Sequence, residues 1–416
     1  MIRLLTFTTL YPSARRPSHG IFVENRVRHL VGSGKATAKV VSPVPYVPAL
    51  RGIPARYRVL SDVPSREERV GLEVHHPRYF LLPKISMSAA PLSLYIAARR
   101  CLSTLLTTGY EFDLIDAHYF YPDGVAAILL GRHFRKPVTI TARGSDINIL
   151  SQYRLPRGMI RWAANRADGI ITVCEALKAS LLSLGADADK IRVLRNGVDL
   201  AKFRPGDRAA ARARLGFSGT MLLSVGNLIP LKGHDVAIDA LAHLPEARLA
   251  IVGDGPEHAR LRAHARRIGV AERVRFFGRV PHEELPDIYR AADVLLLMSS
   301  NEGLANVLLE AMACGTPVVA TAAGGTPEVV TTAVAGELVH ARTANAVVQA
   351  IARLLHRQPD PQAVRSYAES FGWDATTNGQ LGLFGEILDI RRYKVARRAI
   401  MDSSDAQAAN RPIGDR

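Results

Sequence analysis

The sequence predicts an α/β protein of two doubly wound domains facing a central cleft. Three observations carry that expectation. The chain has 416 residues, too many for one ordinary core. Its second half alternates short apolar runs with segments of helical period, the pattern of a parallel sheet covered on both faces. Its first half repeats the alternation more loosely. With 48% hydrophobic and 22% charged residues, the composition is that of a globular chain.

The opening "MIRLLTFTTL" reads as a first strand, because its apolar stretch is short for a secretory leader and no small-residue cleavage site follows. The expected strands of the first half are 3–10, 37–43, 113–117, 137–142, 169–174 and 191–195, and its helices 21–32, 121–134, 156–166 and 175–184. "RNGVDLAKFRPG" (195–206) is the junction, with Asn196-Gly197 as a turn. The second half then alternates "TMLLSVG" (220–226), "GHDVAIDALAHL" (233–244), "ARLAIVG" (247–253), a helix over 256–268, "RVRFFG" (273–278), "HEELPDIYRAA" (282–292), "DVLLLMSS" (293–300) and "PVVAT" (317–321). The boundaries are 1–195 for one domain and 196–373 for the other. A helical segment over 374–398 carries Leu381, Phe384 and Ile387 into the basic "RRYKVARR", and 399–416 reads as a disordered tail.

Charge is unevenly spread. Residues 1–195 hold 28 Lys and Arg against 14 Asp and Glu, most of the chain's net +16. Such a field attracts an anionic partner: a phosphorylated substrate, acidic lipid headgroups or nucleic acid. The three cysteines (Cys101, Cys174, Cys314) are far apart and sit among apolar residues, which points to a reducing compartment, the cytoplasm. No window approaches about 18 uninterrupted apolar residues. "KISMSAAPLSLYIAARRCLSTLL" (84–106) mixes apolar residues with Arg99 and Arg100. It is expected either to pack on the first sheet or to lie peripherally on an anionic inner membrane face.

The chemistry concentrates in "SSNEGLANVLLEAMACGTPVVAT" (299–321). Glu302 falls just past a strand and Glu310 about two turns into a helix. The unpaired amides of that helix start make an anion site, and Gly303 admits close backbone approach. "EGLANVLLE" resembles the E-x7-E signature of family 4 glycosyltransferases, retaining enzymes of GT-B fold, with a last helix that returns to the first domain. The resemblance covers roughly 1–390, and its branch looks like that of teichuronic acid and exopolysaccharide assembly. It implies that the first domain takes the acceptor and the second the nucleotide-sugar. It further implies that Glu310 binds the nucleotide ribose and Glu302 the donor hexose. The amides near Gly303, Leu304, Ala305 and Asn306 would hold sugar hydroxyls and diphosphate.

Four other stretches extend the resemblance. In "SVGNLIPLKGHDVAIDAL" (224–241), Lys232 takes the family's diphosphate position beside Gly226. The arginine common after that glycine is Asn227 here, and an amide cannot replace a guanidinium's charge. Arg279 and Val280 of "FFGRVPHEELPDIYRAAD" sit where the family contacts the nucleobase by backbone. Gly20 of "YPSARRPSHGIFVENRV" matches the glycine loop that approaches donor phosphates and acceptor, with His19, Arg15 and Arg16 as accessories. His118, at the end of a strand in "DLIDAHYFYPDGV", occupies a position close to the reacting centre. "ARGSDINIL" resembles the family's "HGSD" motif, with Arg143 where histidine is common. That change favours anion contact over proton transfer, while Asp146 orients its neighbours or caps a turn.

The expected function is thus retaining hexosyl transfer, with His118, Glu302 and Lys232 as catalytic residues. The donor would be UDP- or GDP-linked and the acceptor lipid-linked or glycan. No cofactor and no metal are expected, since the one D-x-D, "DAD" (187–189), lies in a polar turn. Two other classes stay open: a GT-B nucleotide-sugar epimerase, which needs no acceptor, and a basic nucleic-acid binder. For the latter no aromatic and basic platform is seen.

Overall fold

The computed structural model describes residues 1–46, 60–80 and 86–409. In the first half the strands are β1 (Ile2–Phe7), β2 (Ala36–Val41), β3 (Val44–Tyr46), β4 (Arg66–Arg69), β5 (Leu72–His75), β6 (Arg78–Phe80), β7 (Leu114–His118), β8 (Val138–Ala142), β9 (Gly169–Thr172) and β10 (Ile191–Val193). In the second they are β11 (Thr220–Val225), β12 (Ala247–Val252), β13 (Val274–Gly278), β14 (Val294–Leu297), β15 (Val318–Thr321) and β16 (Gly336–Val339). β3 and β6 form a small parallel pair. The other strands build two large sheets.

The first sheet runs β10-β9-β8-β7-β1-β2-β5-β4, and every pair is parallel except β4 with β5. The second runs β13-β12-β11-β14-β15-β16 and is parallel throughout. Each order reverses once, between β1 and β7 in the first sheet and between β11 and β14 in the second. A doubly wound sheet opens its ligand crevice at that switch, beyond the carboxyl ends of the strands. The fold is the expected α/β pair of Rossmann-like units.

The central strands explain themselves. β7, β8, β9, β14 and β15 are buried at every residue. Helices cover both faces, so a continuous apolar run is stable there. The elements missing from the sequence reading are those without such a run. β4, the charged "REER" stretch, forms a hairpin with β5, and β16 is a short edge strand. Helices Arg208–Leu215, Ala344–Arg357 and Pro361–Glu369 were also not expected.

The last helix, Trp373–Ala409, returns to the first half. Leu383, Phe384 and Ile387 pack with Leu4, Leu30, Ala36, Leu114 and Ile171, and Trp373 stacks on His29 with ring centroids 5.2 Å apart. One correction concerns the tail. Residues 399–409 continue this helix rather than leaving it, in keeping with the alanines of "MDSSDAQAA" and their helix propensity. Residues 410–416 lie outside the described residues. The helix Ser86–Thr107 matches the expected segment 84–106. It packs beside β6 and the helix Val125–Phe134, and Leu92 and Ile96 stay exposed. Among the described residues no helix is long and apolar enough to cross a membrane.

Candidate active site in the cleft

At the second sheet's switch point, β11 ends at Val225 and β14 at Leu297, so the segments after them face each other. Gly226 follows β11, and the turn Pro230–Lys232 then places the lysine. Lys232 Nζ donates to Glu302 Oε1 at 2.6 Å, with the two side chains 22% and 10% exposed. The two residues expected to hold diphosphate and hexose are therefore paired with each other. Asn227 is exposed, and its side chain makes no hydrogen bond among the described residues. The turn after β12, "VGDGP", packs on this strand end: a Cβ at Gly253 would lie on the Gly226 carbonyl.

The helix expected to open the anion site spans Asn306–Ala313. Among the described residues, the amides of Gly303, Leu304 and Ala305 make no backbone hydrogen bond. Glu310 is the fifth residue of that helix, one turn in rather than two, because the helix starts at Asn306. It is 9% exposed and already bonded. Tyr289 Oη donates to it at 2.7 Å, and His282 Nε2 lies 3.1 Å away. The Phe203 ring meets both His282 and Tyr289 edge-on. Each carboxylate oxygen keeps a second lone pair for a ligand hydroxyl. Arg279 is exposed and Val280 partly buried in the turn after β13.

In the first half, Gly20 closes the loop after β1. It takes φ 71° and precedes the helix Ile21–Gly32, and a Cβ there would sit 2.3 Å from the Leu10 carbonyl carbon. Only glycine fits. Arg16 donates to His19 Nδ1 at 2.8 Å, and His19 Nε2 meets the Thr9 carbonyl at 3.1 Å. Buried Asp123 accepts from the Thr9 amide and hydroxyl, and burial raises its carboxyl to about 7.

His118 departs from expectation. It is fully buried rather than facing the cleft, because every residue of β7 is enclosed. Its Nδ1 accepts from Arg143 at 2.6 Å, and Nε2 lies 3.2 Å from Asp116 without aligning for a hydrogen bond. Burial lowers its pKa to about 4, so the ring is neutral at pH 7. Its observed partner is Arg143 rather than the open cleft. Asp146 orients its neighbours rather than capping the following turn, accepting from the amides of Phe120, Arg143 and Gly144.

A buried polar chain ties these parts together. Arg26, 1% exposed, donates to Gln380, to the Leu194 carbonyl and to Asn196. Asn196 accepts from Arg143 at 3.0 Å and donates to Asn306 at 3.0 Å. The sequence marked Asn196 only as a turn. Arg26 and Gln380 gave no signal, since nothing in a helical pattern shows that a polar residue faces inward.

The halves meet backbone to backbone. A Cβ at Gly303 would lie 2.2 Å from the Arg143 carbonyl oxygen, and one at Gly144 would lie 2.9 Å from the Gly303 nitrogen. Asn148 donates to Asn301 at 2.6 Å. Glu328 accepts from the amides of Glu175 and Ala176 and from Arg195. The cleft is closed beside Glu302. Among the described residues, no group of three His, Cys, Asp or Glu side chains could hold a metal. Asp187 of "DAD" instead caps the turn Ala188–Lys190.

Comparison with known proteins agrees with this frame. Residues 207–371 match the family model described as Glycosyl transferases group 1, and residues 50–202 that described as Glycosyltransferase Family 4. A D-inositol 3-phosphate glycosyltransferase of Acidothermus cellulolyticus is 40% identical over 252 residues, 56% of this chain and 56% of that protein. One of the same name from Mycolicibacterium gilvum is 38% identical over 235 residues, 54% of this chain and 53% of that protein. The chain thus spans about half the length of the curated relatives it matches. Among solved structures, sucrose-phosphate synthase of Thermosynechococcus elongatus superposes with a TM-score of 0.77 at 21% identity, over 94% of this chain and 100% of that one. Anabaena HepE in complex with UDP superposes with a TM-score of 0.70 at 21% identity, over 93% and 100%. These structural likenesses speak for the fold. Residues 50–202 and 207–371 thus match a Glycosyltransferase Family 4 model and a Glycosyl transferases group 1 model in turn, on a fold shared with solved GT-B glycosyltransferases.

Proposed function

We propose that this protein transfers a hexose from a nucleotide-sugar to an acceptor hydroxyl, with retention of anomeric configuration and without a metal ion. The observation that carries the reading is the Lys232–Glu302 pair, 2.6 Å apart at the switch point and next to the free amides of residues 303–305. A cation, a carboxylate and a helix start at one strand end suit a diphosphate joined to a sugar. The names of similar proteins support a glycosyl donor: HepE is solved with UDP and with UDP-glucose.

In this reading Lys232 exchanges Glu302 for the donor diphosphate when the donor binds. Glu302 is then free to accept from hexose hydroxyls, and Glu310 takes the ribose. The acceptor oxygen attacks the anomeric carbon from the face the diphosphate leaves. The bond from carbon to the diphosphate oxygen breaks, and that oxygen takes the acceptor's proton. Lys232 and the 303–305 amides stabilise charge on the departing nucleoside diphosphate. The closed contact of Gly144 on Gly303 excludes water.

We assign the acceptor to the first domain and, from its basic balance, to a lipid-linked or glycan substrate at an anionic inner membrane face. Exposed Phe80, Leu92 and Ile96 near Arg99 and Arg100 support that placement. The test is a thermal-shift screen of the intact chain against UDP, GDP, ADP and their sugars, with and without EDTA. Stabilisation by one nucleotide and its sugar, unchanged by EDTA, is expected. Stabilisation by none would remove the reading.

A further inference from the structure

Position 227 raises a problem of charge. Two negative phosphates need more than one lysine, and Asn227 contributes no charge. We infer that Arg143, from the opposite domain, supplies the donor diphosphate contact that position 227 lacks. This rests on the nucleotide-sugar reading above.

Four observations place it. First, Arg143 lies between the two elements that approach phosphate. Its guanidinium carbon is 5.3 Å from the ring centroid of Phe22, two residues past Gly20, and its carbonyl abuts Gly303. Second, it is linked through Asn196 to Asn306, the first residue of the donor-site helix. Third, among the described residues it forms no ion pair. Its terminal nitrogens donate to neutral acceptors, Asn196 Oδ1 at 3.0 Å and His118 Nδ1 at 2.6 Å, and its buried Nε has no partner. Fourth, the nearby carboxylates are engaged elsewhere. Asp116 accepts from Thr139 and Gln380, and Asp146 from three backbone amides.

A guanidinium held on neutral acceptors is not matched by a protein carboxylate, and its fixed fork suits phosphate. Burial and the neighbouring Arg26 disfavour its charge, and a bound anion would offset both. Arg26 itself is sealed at 1% exposure, whereas Arg143 is only partly buried. The role also explains His118, whose neutral ring holds one arm of the fork. Closure of the cleft would then be coupled to the donor, since the diphosphate would touch cations of both domains.

The experiment is calorimetric titration of UDP and GDP into the intact chain at fixed ionic strength. Arg143→Gln is expected to weaken the nucleotide that binds by about tenfold to a hundredfold, the range of a charge-assisted contact. Adding Asn227→Arg to that variant is expected to recover about tenfold, because it returns a guanidinium to the same diphosphate. Arg143→His carries a second test, and carries it alone if the glutamine variant does not fold. Its affinity should fall as pH rises past about 6.5, whereas the wild type stays level. A purely structural arginine would give neither the recovery nor the pH dependence. Wild-type binding with Arg143→Gln or Arg143→His unchanged within twofold at pH 8 overturns the inference. Wild type binding neither nucleotide overturns the donor reading itself, and this role with it.

Discussion

Gly303→Ala separates closure of the cleft from folding of the domains. The added Cβ would stand 2.2 Å from the Arg143 carbonyl oxygen, 3.0 Å from its carbonyl carbon and 3.1 Å from Gly144 Cα. All three are backbone atoms of the opposite domain, so no side chain can swing away. Ordinary carbon contact needs about 3.5 Å, so the halves must part there by about 1 Å. Overpacking of this kind costs about 1–3 kcal/mol. Because the clash lies between domains, the cost falls on the closed state, and each domain keeps its own core. At 0.59 kcal/mol per RT, kcat/KM should drop by about fivefold to 150-fold while Tm changes little. The control is Gly382→Ala, in the last helix, where an added Cβ meets nothing within 4 Å. That change should leave turnover alone and raise stability slightly, since alanine favours helix by about 1 kcal/mol. The assays are steady-state kinetics and small-angle scattering of the free protein, in which Gly303→Ala should be the more open. Wild-type kcat/KM and an unchanged scattering profile would refute the claim that closure at Gly303 matters.

Three further outcomes are expected. Lys232→Ala should weaken nucleoside diphosphate binding about tenfold by calorimetry yet leave Tm nearly level, because a partly exposed ion pair contributes about 0–1 kcal/mol; a large loss of Tm with intact binding would contradict it. Glu310→Ala orphans the buried Tyr289 hydroxyl and His282, so it should cost about 1–3 kcal/mol in denaturant unfolding as well as raising donor KM, with Glu310→Gln milder on both counts. Stability should fall as pH drops from about 6.5 toward 4, since burial lowers His19, His118 and His234 to about 4 in the folded chain, and the unfolded chain then binds more protons. Asp123, raised to about 7, works against one of those protons, and a urea midpoint that is flat over that range would rule the account out.

The second half was legible because its strands are short, apolar and buried on both faces. β11, β12 and β15 each stand within a residue of their expected limits, and β14 ends three residues early. Lys232, Glu302 and Glu310 stood out by the resemblance of their motifs, and the structure brings Lys232 and Glu302 together where a crevice opens. The partners of those residues could not be read. That Lys232 meets Glu302, or that Tyr289 and His282 meet Glu310, depends on helix packing across stretches of sequence with no pattern of their own. His118 shows the limit most clearly. The strand end was right, but a histidine at a strand end looks the same whether it faces the cleft or Arg143. The hairpin of β4 and β5 was missed for a related reason. An antiparallel edge with charged "REER" residues has no apolar run to announce it.

The central claim is retaining transfer from a nucleotide-sugar in this cleft. Its most direct measurement is real-time proton NMR of the anomeric signals while the intact protein slowly hydrolyses the α-linked nucleotide-hexose that stabilises it, in EDTA and without acceptor. The account predicts that the free α-anomer appears first, and that Lys232→Ala abolishes its release. First appearance of the β-anomer, or release that depends on added metal, would contradict it.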